Sequence, residues 1–319
     1  MASSDLVAVR TVPERRLGAG GAAVSALGVG TNRWRQGSND GAVFETYQAL
    51  LDGGIDFIDT AEVYGFGKSE RLIGDCIRKD GRRVKVASKF APFIARVTPR
   101  QLMGALDASL ARLGLKSLDL YYVHFPFPFT PLETFAEGLV EAVKSGKAKQ
   151  VGVSNFSADQ MRRIADILAR SDIRLAANQV PYSLLNRKME SNGVLEACKQ
   201  LDAALVAYFP LGSGRLAAPS GDGDGKPDRT AVLRRTLDEV AQAHQASVSQ
   251  VALNWLLARD PHIIPIPGAS KAAHARQNAE ALGWRLTDDE FAAIDAASAP
   301  APNTAPSTPP SQPPGQPPT

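Results

Sequence analysis

Eight short apolar runs recur along the chain: VSALGVGT (24–31), IDFIDT (55–60), VKVASKF (84–90), LDLYYVHF (118–125), QVGVSN (150–155), LAANQVPY (175–182), ALVAYFPL (204–211) and HIIPIPG (262–268). Their spacing of about 30 residues is the length of a βα unit, except that the last gap is about double. Helix-period segments lie between them, among them GAVFETYQALLDGG, TPRQLMGALDASLARLGL, PLETFAEGLVEAVKSGK and SADQMRRIADILARS. Several open on Ser, Thr or Pro and close at Gly or Lys, as helix termini prefer. Apolar runs without alternation, each followed by an amphipathic helix, imply a parallel sheet covered on both faces. A closed (β/α)8 TIM barrel fits best, with an open doubly wound sheet as the alternative, because periodicity does not show closure. The double gap holds a loop, GSGRLAAPSGDGDGKPD, and an extra helix around DRTAVLRRTLDEVAQAHQ. Ahead of the first barrel strand, VRTVPERRLGAG reads as a small hairpin, and TDDEFAAIDAAS reads as a Thr-capped helix after the last unit. One domain over residues 1–298 is expected. Residues 299–319 form a tail that is nearly half proline and lacks bulky apolar residues, so it is expected to be extended or disordered.

Composition narrows the function classes. A net charge of +3 is mild, and the basic pairs (Arg15-Arg16, Arg82-Arg83, Arg162-Arg163, Arg234-Arg235) are scattered, which argues against a nucleic-acid partner. Cys76 and Cys198 stand far apart without a CxxC, so neither a disulfide framework nor a zinc ribbon is indicated. The N-terminus lacks the apolar core of a signal peptide, and no run approaches the roughly 20 apolar residues of a membrane helix. The expectation is a cytoplasmic protein with no membrane association and no metal, since no histidine pair has ligand spacing.

Two motifs mislead. GFGKS suggests a phosphate-binding P-loop, but the leading glycine of that motif would fall on Glu62, a carboxylate where phosphate should sit. Gly65 and Gly67 are instead read as shaping a loop, with Lys68-Ser69-Glu70 opening a helix. Gly18-Ala-Gly20-Gly-Ala-Ala23 matches a dinucleotide fingerprint, but no buried strand precedes it, and it is read as a turn.

The functional face of a parallel barrel lies at the C-terminal ends of its strands. Asp59 closes the second run, Lys89 the third and His124 the fourth, and Tyr64 follows Asp59 on the loop above. Neighbouring strands lie about 4.8 Å apart, so a carboxylate, an ammonium and an imidazole would share one mouth with a phenol over them. A nearby cation stabilises a phenolate and lowers the phenol's pKa. Lys89 would supply that cation, Asp59 would hold it, and His124 would donate to a substrate oxygen. Unpaired charge in a buried strand costs several kcal/mol, so mutual pairing is the least costly explanation of Lys89 and His124.

With these residues the sequence resembles the aldo-keto reductase superfamily over about residues 14 to 298. The resemblance rests on Gly54-Ile-Asp-Phe-Ile-Asp-Thr-Ala61 with Tyr64-Gly65 and Ser69-Glu70, Lys89, Leu118-Asp-Leu-Tyr121 leading to His124, Gly152-Val-Ser-Asn155, Gln179, and Ile266-Pro-Gly-Ala-Ser270. It implies metal-independent reduction of a small aldehyde or ketone by NADPH, with Tyr64 as general acid, Lys89 tuning it, Asp59 supporting Lys89 and His124 orienting the carbonyl. It also implies that Ser154, Asn155 and Gln179 bind the nicotinamide carboxamide and that Tyr208 stacks on its ring. Phe209, Leu211, Gly212 and Ser213 correspond to a pyrophosphate loop, where many relatives have Ser in place of Phe209. Gly268, Ser270 and Lys271 would take the 2′-phosphate at a helix N-terminus, with Gln277 and Asn278 near the adenine. Gly30 and Thr31 match a first-strand cofactor contact, with Trp34 as a pocket wall beside Asn32. HFPFPFT places Phe125 in an apolar wall near His124 and favours hydrophobic or aromatic aldehydes. Two other readings compete. One is a barrel hydrolase with metal ions bridged by a modified Lys89; the other is an NADPH-binding redox sensor whose proline tail recruits a protein partner.

Overall fold

Residues 12–35, 38–94, 96–128, 130–212, 216 and 229–299 are described by the computed structural model. Strands β1 (Glu14–Arg16) and β2 (Ala23–Ser25) pair antiparallel. Eight further strands form one parallel sheet in chain order: β3 (Val29–Gly30), β4 (Phe57–Asp59), β5 (Lys85–Phe90), β6 (Leu120–Val123), β7 (Val151–Ser154), β8 (Leu175–Pro181), β9 (Ala204–Tyr208) and β10 (Ile263–Pro265). A parallel bridge between Gly30 and Gly268 joins the first strand to the segment after the last, so the sheet closes. The open alternative is thereby excluded.

The helices are α1 (Asp40–Asp52), α2 (Lys68–Asp80), α3 (Pro99–Leu113), α4 (Leu132–Lys144), α5 (Ala158–Ala169), α6 (Lys188–Ser191), α7 (Val194–Gln200), α8 (Arg229–Ala243), α9 (Val248–Arg259), α10 (Ala272–Glu280) and α11 (Asp288–Ser298). Their starts follow local chemistry. Thr98, Ser157, Ser247 and Thr287 each accept from the backbone N–H three residues on, and the Gln or Glu there reaches back. Such boxes satisfy donors that a helix N-terminus leaves unpaired. α8 is the helix expected in the long gap, and α11 the Thr-capped one after the last βα unit. The loop between Gly212 and α8 and the proline tail from residue 300 onward lie outside the described residues, except Leu216.

Alternation along each strand divides the core in two. Leu17, Val24, Phe57, Ala87, Leu120, Ala177, Ala204, Val206 and Ile264 pack inside the barrel, while Ile58, Val86, Tyr121 and Leu205 pack outward under the helices. Leu17 and Val24 come from the hairpin, which plugs the N-terminal end. This corrects the expected first strand: residues 24–25 belong to the plug, and only Val29 and Gly30 enter the barrel. Val24 is apolar because it fills the barrel floor, a need that reads the same as a strand's.

The turn of that plug explains the misleading glycine run. Gly18 has φ +70° and sits so close to β8 that a Cβ would lie 2.9 Å from Ala176 Cα and carbonyl oxygen. Ala19 N–H donates to Asp202 O, and the Gln150 amide donates to Leu17 O at 2.5 Å. Gly18→Ala is expected to cost about 1–3 kcal/mol through backbone strain and overpacking. A thermal melt lowered by several degrees, with unchanged activity per folded molecule, is the expected readout.

Candidate active site

The same alternation builds the site. Two residues above each floor residue, the next inward position carries chemistry: Asp59 above Phe57, Lys89 above Ala87, Gln179 above Ala177 and Tyr208 above Val206, while His124 stands four above Leu120. Lys89 is fully buried and Asp59 is 1% exposed. Lys89 Nζ donates to Asp59 Oδ1 at 2.5 Å and to Thr60 O at 2.7 Å, and Gln179 Nε2 donates to Asp59 Oδ2 at 2.8 Å. Both carboxylate oxygens therefore accept, which fixes Asp59 as the anion although burial pushes its pKa up against the pull of Lys89 and Gln179. Burial likewise opposes the charge on Lys89, but Asp59 and then Tyr64 outweigh it and hold the ammonium's pKa above the lysine value.

Tyr64 lies beside this pair, its ring centroid 5.2 Å from Lys89 Nζ. Burial raises its phenol pKa more than Lys89 lowers it, so the group is protonated at neutral pH. The net direction is opposite to the expectation that Lys89 brings the phenol below its ordinary value; desolvation is the larger effect. The His124 ring meets the Tyr64 ring edge-on at 6.0 Å, and burial, then Lys89, drives its pKa down to about 3. His124 is therefore a neutral imidazole, and its buried Nδ1 has no hydrogen-bond partner.

The loop carrying Tyr64 is pinned by the residues that imitate a P-loop. Ser69 accepts from Thr60 Oγ1 at 2.9 Å and shares a 2.8 Å hydrogen bond with Thr31, whose hydroxyl also reaches Asp59 O. Glu70, fully buried, accepts from Ser88 Oγ and Arg112 Nε at 2.6 Å each. Arg96 grips Glu62 with two donors at 2.6 and 2.7 Å. Gly65 and Gly67 take positive φ where the chain turns into α2. Ser69 and Glu70 are thus anchors of the loop.

A cavity of about 740 Å³ opens above the strand ends. Of the expected residues it is lined by Gly30, Asp59, Tyr64, His124, Ser154, Asn155, Gln179, Tyr208, Phe209, Leu211, Gly268, Ser270, Gln277 and Asn278. Asn155, at φ 63°, donates from Nδ2 to His124 O and accepts from Tyr208 OH at 2.9 Å, tying three strand ends together. Asn278 presents a buried Nδ2 without a partner. Lys271 is not among the lining residues; it is the exposed N-cap of α10, which has no acidic residue in its first turn.

Several expectations fail. Trp34 is 1% exposed and donates Nε1–H to Ala269 O at 2.6 Å, so it packs inward and is no pocket wall. Thr31 is likewise buried, its hydroxyl spent on Ser69 and Asp59. Phe125 leans on the His124 ring at 5.7 Å outside the cavity, whose apolar wall comes from Tyr208, Phe209, Leu211 and Ile266. Gly212 takes φ +60° against Leu185, a turn requirement rather than a lining position, and Ser213 lies outside the described residues. Arg33, Arg35 and Ser249 line the cavity without having been singled out for it, beside Asn32, Pro210 and His274. The two arginines flank Trp34 in the sequence, but the inward packing of that tryptophan is seen only in the structure.

The Aldo/keto reductase family model matches residues 26–299. The chain belongs to this family. The aldo-keto reductase is 31% identical to the chloroplastic pyridoxal reductase of Arabidopsis thaliana, over 92% of this chain and 88% of that one. It is 34% identical to 6-dehydroglucose reductase of Novosphingobium aromaticivorans, over 89% and 95%. The crystal structure of a Klebsiella pneumoniae aldo-keto reductase with NADPH matches with TM-score 0.76 and 30% identity, covering 91% of this chain and 96% of that one. As an aldo-keto reductase the protein is an oxidoreductase on a TIM barrel. Among its described residues no group of three or more His, Cys, Asp or Glu side chains is placed to hold a metal. No helix among them is long and apolar enough to cross a membrane.

Proposed function

We propose that this aldo-keto reductase transfers hydride from NADPH to the carbonyl carbon of a small aldehyde or ketone, with Tyr64 as the proton donor. The observation that carries the reading is the buried Lys89–Asp59 pair set beside a protonated phenol at the floor of a dinucleotide-sized cavity. NADPH, when bound, supplies the hydride; the rest is the work of the chain's own groups. Neutral His124 directs a ring N–H at the carbonyl oxygen. As negative charge builds there, Tyr64 gives up its proton, and the phenolate left behind faces the Lys89 ammonium, which Asp59 and Thr60 O hold in place. General-acid help of this kind is worth roughly 10² to 10⁴ in rate.

The residues fit the dinucleotide. Tyr208, braced by its bond to Asn155, offers a ring face for the nicotinamide; Ser154, Asn155 and Gln179 offer the carboxamide edge. Gln179 spends one Nε2–H on Asp59 and keeps its Oε1 and the second N–H. Gly30, Phe209, Leu211 and Gly268 would line the phosphate path. The unpartnered Asn278 amide, with Gln277, suits the adenine, and Ser270 and Lys271 at the positive end of α10 suit the 2′-phosphate.

Two measurements test this reading. Purified protein is expected to consume NADPH with a panel of small aldehydes; tight binding without turnover would favour the redox sensor instead. Ser270→Ala with Lys271→Met is expected to weaken NADPH about tenfold or more in a fluorescence titration while leaving NADH unchanged. Equal losses for both cofactors would remove the 2′-phosphate assignment.

A further inference from the structure

We propose that Arg33 and Arg35 select carbonyl substrates bearing an anionic group, a carboxylate or a phosphate, at the mouth of the catalytic cavity. The inference rests on carbonyl reduction at Tyr64 and adds its substrate class.

The loop between β3 and α1 is folded around Trp34. The indole is buried and bonded to Ala269 O, and Trp34 N–H donates to Thr31 O. Ser38 closes the turn, its hydroxyl donating to Arg33 O at 3.1 Å and accepting from Arg35 N at 3.0 Å. With the middle residue anchored inward, its two neighbours are exposed, and both line the cavity that Tyr64 and His124 share.

Neither guanidinium has an ion-pair partner among the described residues. Asp40, at the start of α1, pairs with Lys68 at 3.3 Å, and between β4 and α2 Asp59 pairs with Lys89 and Glu62 with Arg96 at 2.6 Å. Among the described residues Asp59 is the only carboxylate on the cavity wall, and Lys89 pairs with it. The wall therefore carries two uncompensated cations, which attract an anion and raise its local concentration. Arginine's planar fork also suits a carboxylate or phosphate with two parallel hydrogen bonds.

The phosphates of NADPH offer the same chemistry from another source. Of these, the 2′-phosphate is assigned to Ser270, Lys271 and the N-terminus of α10, and the diphosphate to the path along Gly30, Phe209, Leu211 and Gly268. Lys89, the cation beside Tyr64, is fully buried and paired with Asp59. Among the described residues lining the cavity, the arginines are the free charge available to a substrate.

The test compares benzaldehyde with 4-carboxybenzaldehyde, which share a carbonyl and differ in charge. The intact protein is expected to favour the carboxylate by tenfold or more in kcat/KM, as charge-assisted contacts imply. In Arg33→Met, Arg35→Met and the double variant that preference is expected to fall toward unity, mainly through KM. Benzaldehyde turnover and the NADPH dissociation constant should stay unchanged. Arg→Lys replacements, which keep charge but lose the fork, are expected to retain part of the preference. A wild-type ratio near one overturns the proposal. So does weakened NADPH binding with an unaltered ratio, which would assign the arginines to the dinucleotide. Turnover of neither aldehyde by the intact protein would sink the carbonyl-reduction reading along with it, and is distinguishable because the ratio then has no value at all.

Discussion

Tyr64→Phe is expected to lower carbonyl reduction by at least about 10² while leaving NADPH binding near wild type. The substitution deletes one hydroxyl from a half-buried ring. The loop holding that ring is fixed by groups the change does not touch: the Thr60, Ser69 and Thr31 hydroxyls beneath it and the Glu62–Arg96 clasp beside it. The ring should therefore stay against Lys89 and His124, so a loss of rate reports the proton and not the position. Other donors cannot readily replace it. His124, with a pKa near 3, is neutral and a poor acid, and Lys89 is locked between Asp59 and Thr60 O. Single-turnover reduction at saturating NADPH, alongside a fluorescence titration, separates chemistry from binding. Retained rate would take the general-acid role away from Tyr64.

The sequence made the barrel legible because each βα unit repeats the same need, an apolar strand followed by a one-sided helix. It brought the candidate quartet Asp59, Tyr64, Lys89 and His124 into view for a related reason: a lysine interrupting a buried strand requires a partner, and Asp59 on the adjacent strand supplies it, whereas the pairing expected of His124 is not seen, its buried Nδ1 having no partner. Closure was not legible, since it depends on how eight strands twist together and finally on the meeting of Gly30 with Gly268. Nor was the division of residues 24–31 between plug and barrel. Gln179 illustrates a different limit. Its place two residues above Ala177 follows from alternation, but its bond to Asp59, 120 positions away, exists only once the barrel has closed. Trp34 shows where chemistry-minded reading misleads: an aromatic near a cofactor path suggests a wall, whereas burying a large ring against Ala269 is the stronger demand.

Lys89→Met is expected to slow reduction by a comparable factor and to move the alkaline limb of the pH profile upward. Reduction needs Tyr64 protonated, so the rate should be level through neutral pH and fall only as the phenol ionises. Burial, the dominant influence, already places that ionisation above the ordinary tyrosine value, with Lys89 pulling it back down. Removing the ammonium leaves desolvation unopposed, and the phenol should hold its proton to higher pH still. The same change makes the phenolate harder to form at the moment of transfer, so the plateau drops even though more of the enzyme carries the proton. Asp59, deprived of its partner in a buried site, should take up a proton rather than remain a bare anion, which lets the barrel keep its fold, and a melting curve beside the kinetics registers the cost. A merely structural lysine would lower stability without moving the limb. An upward shift joined to a lower plateau is the signature of a cation that stabilises the phenolate, whereas a limb that stays in place or moves down would remove Lys89 from that role.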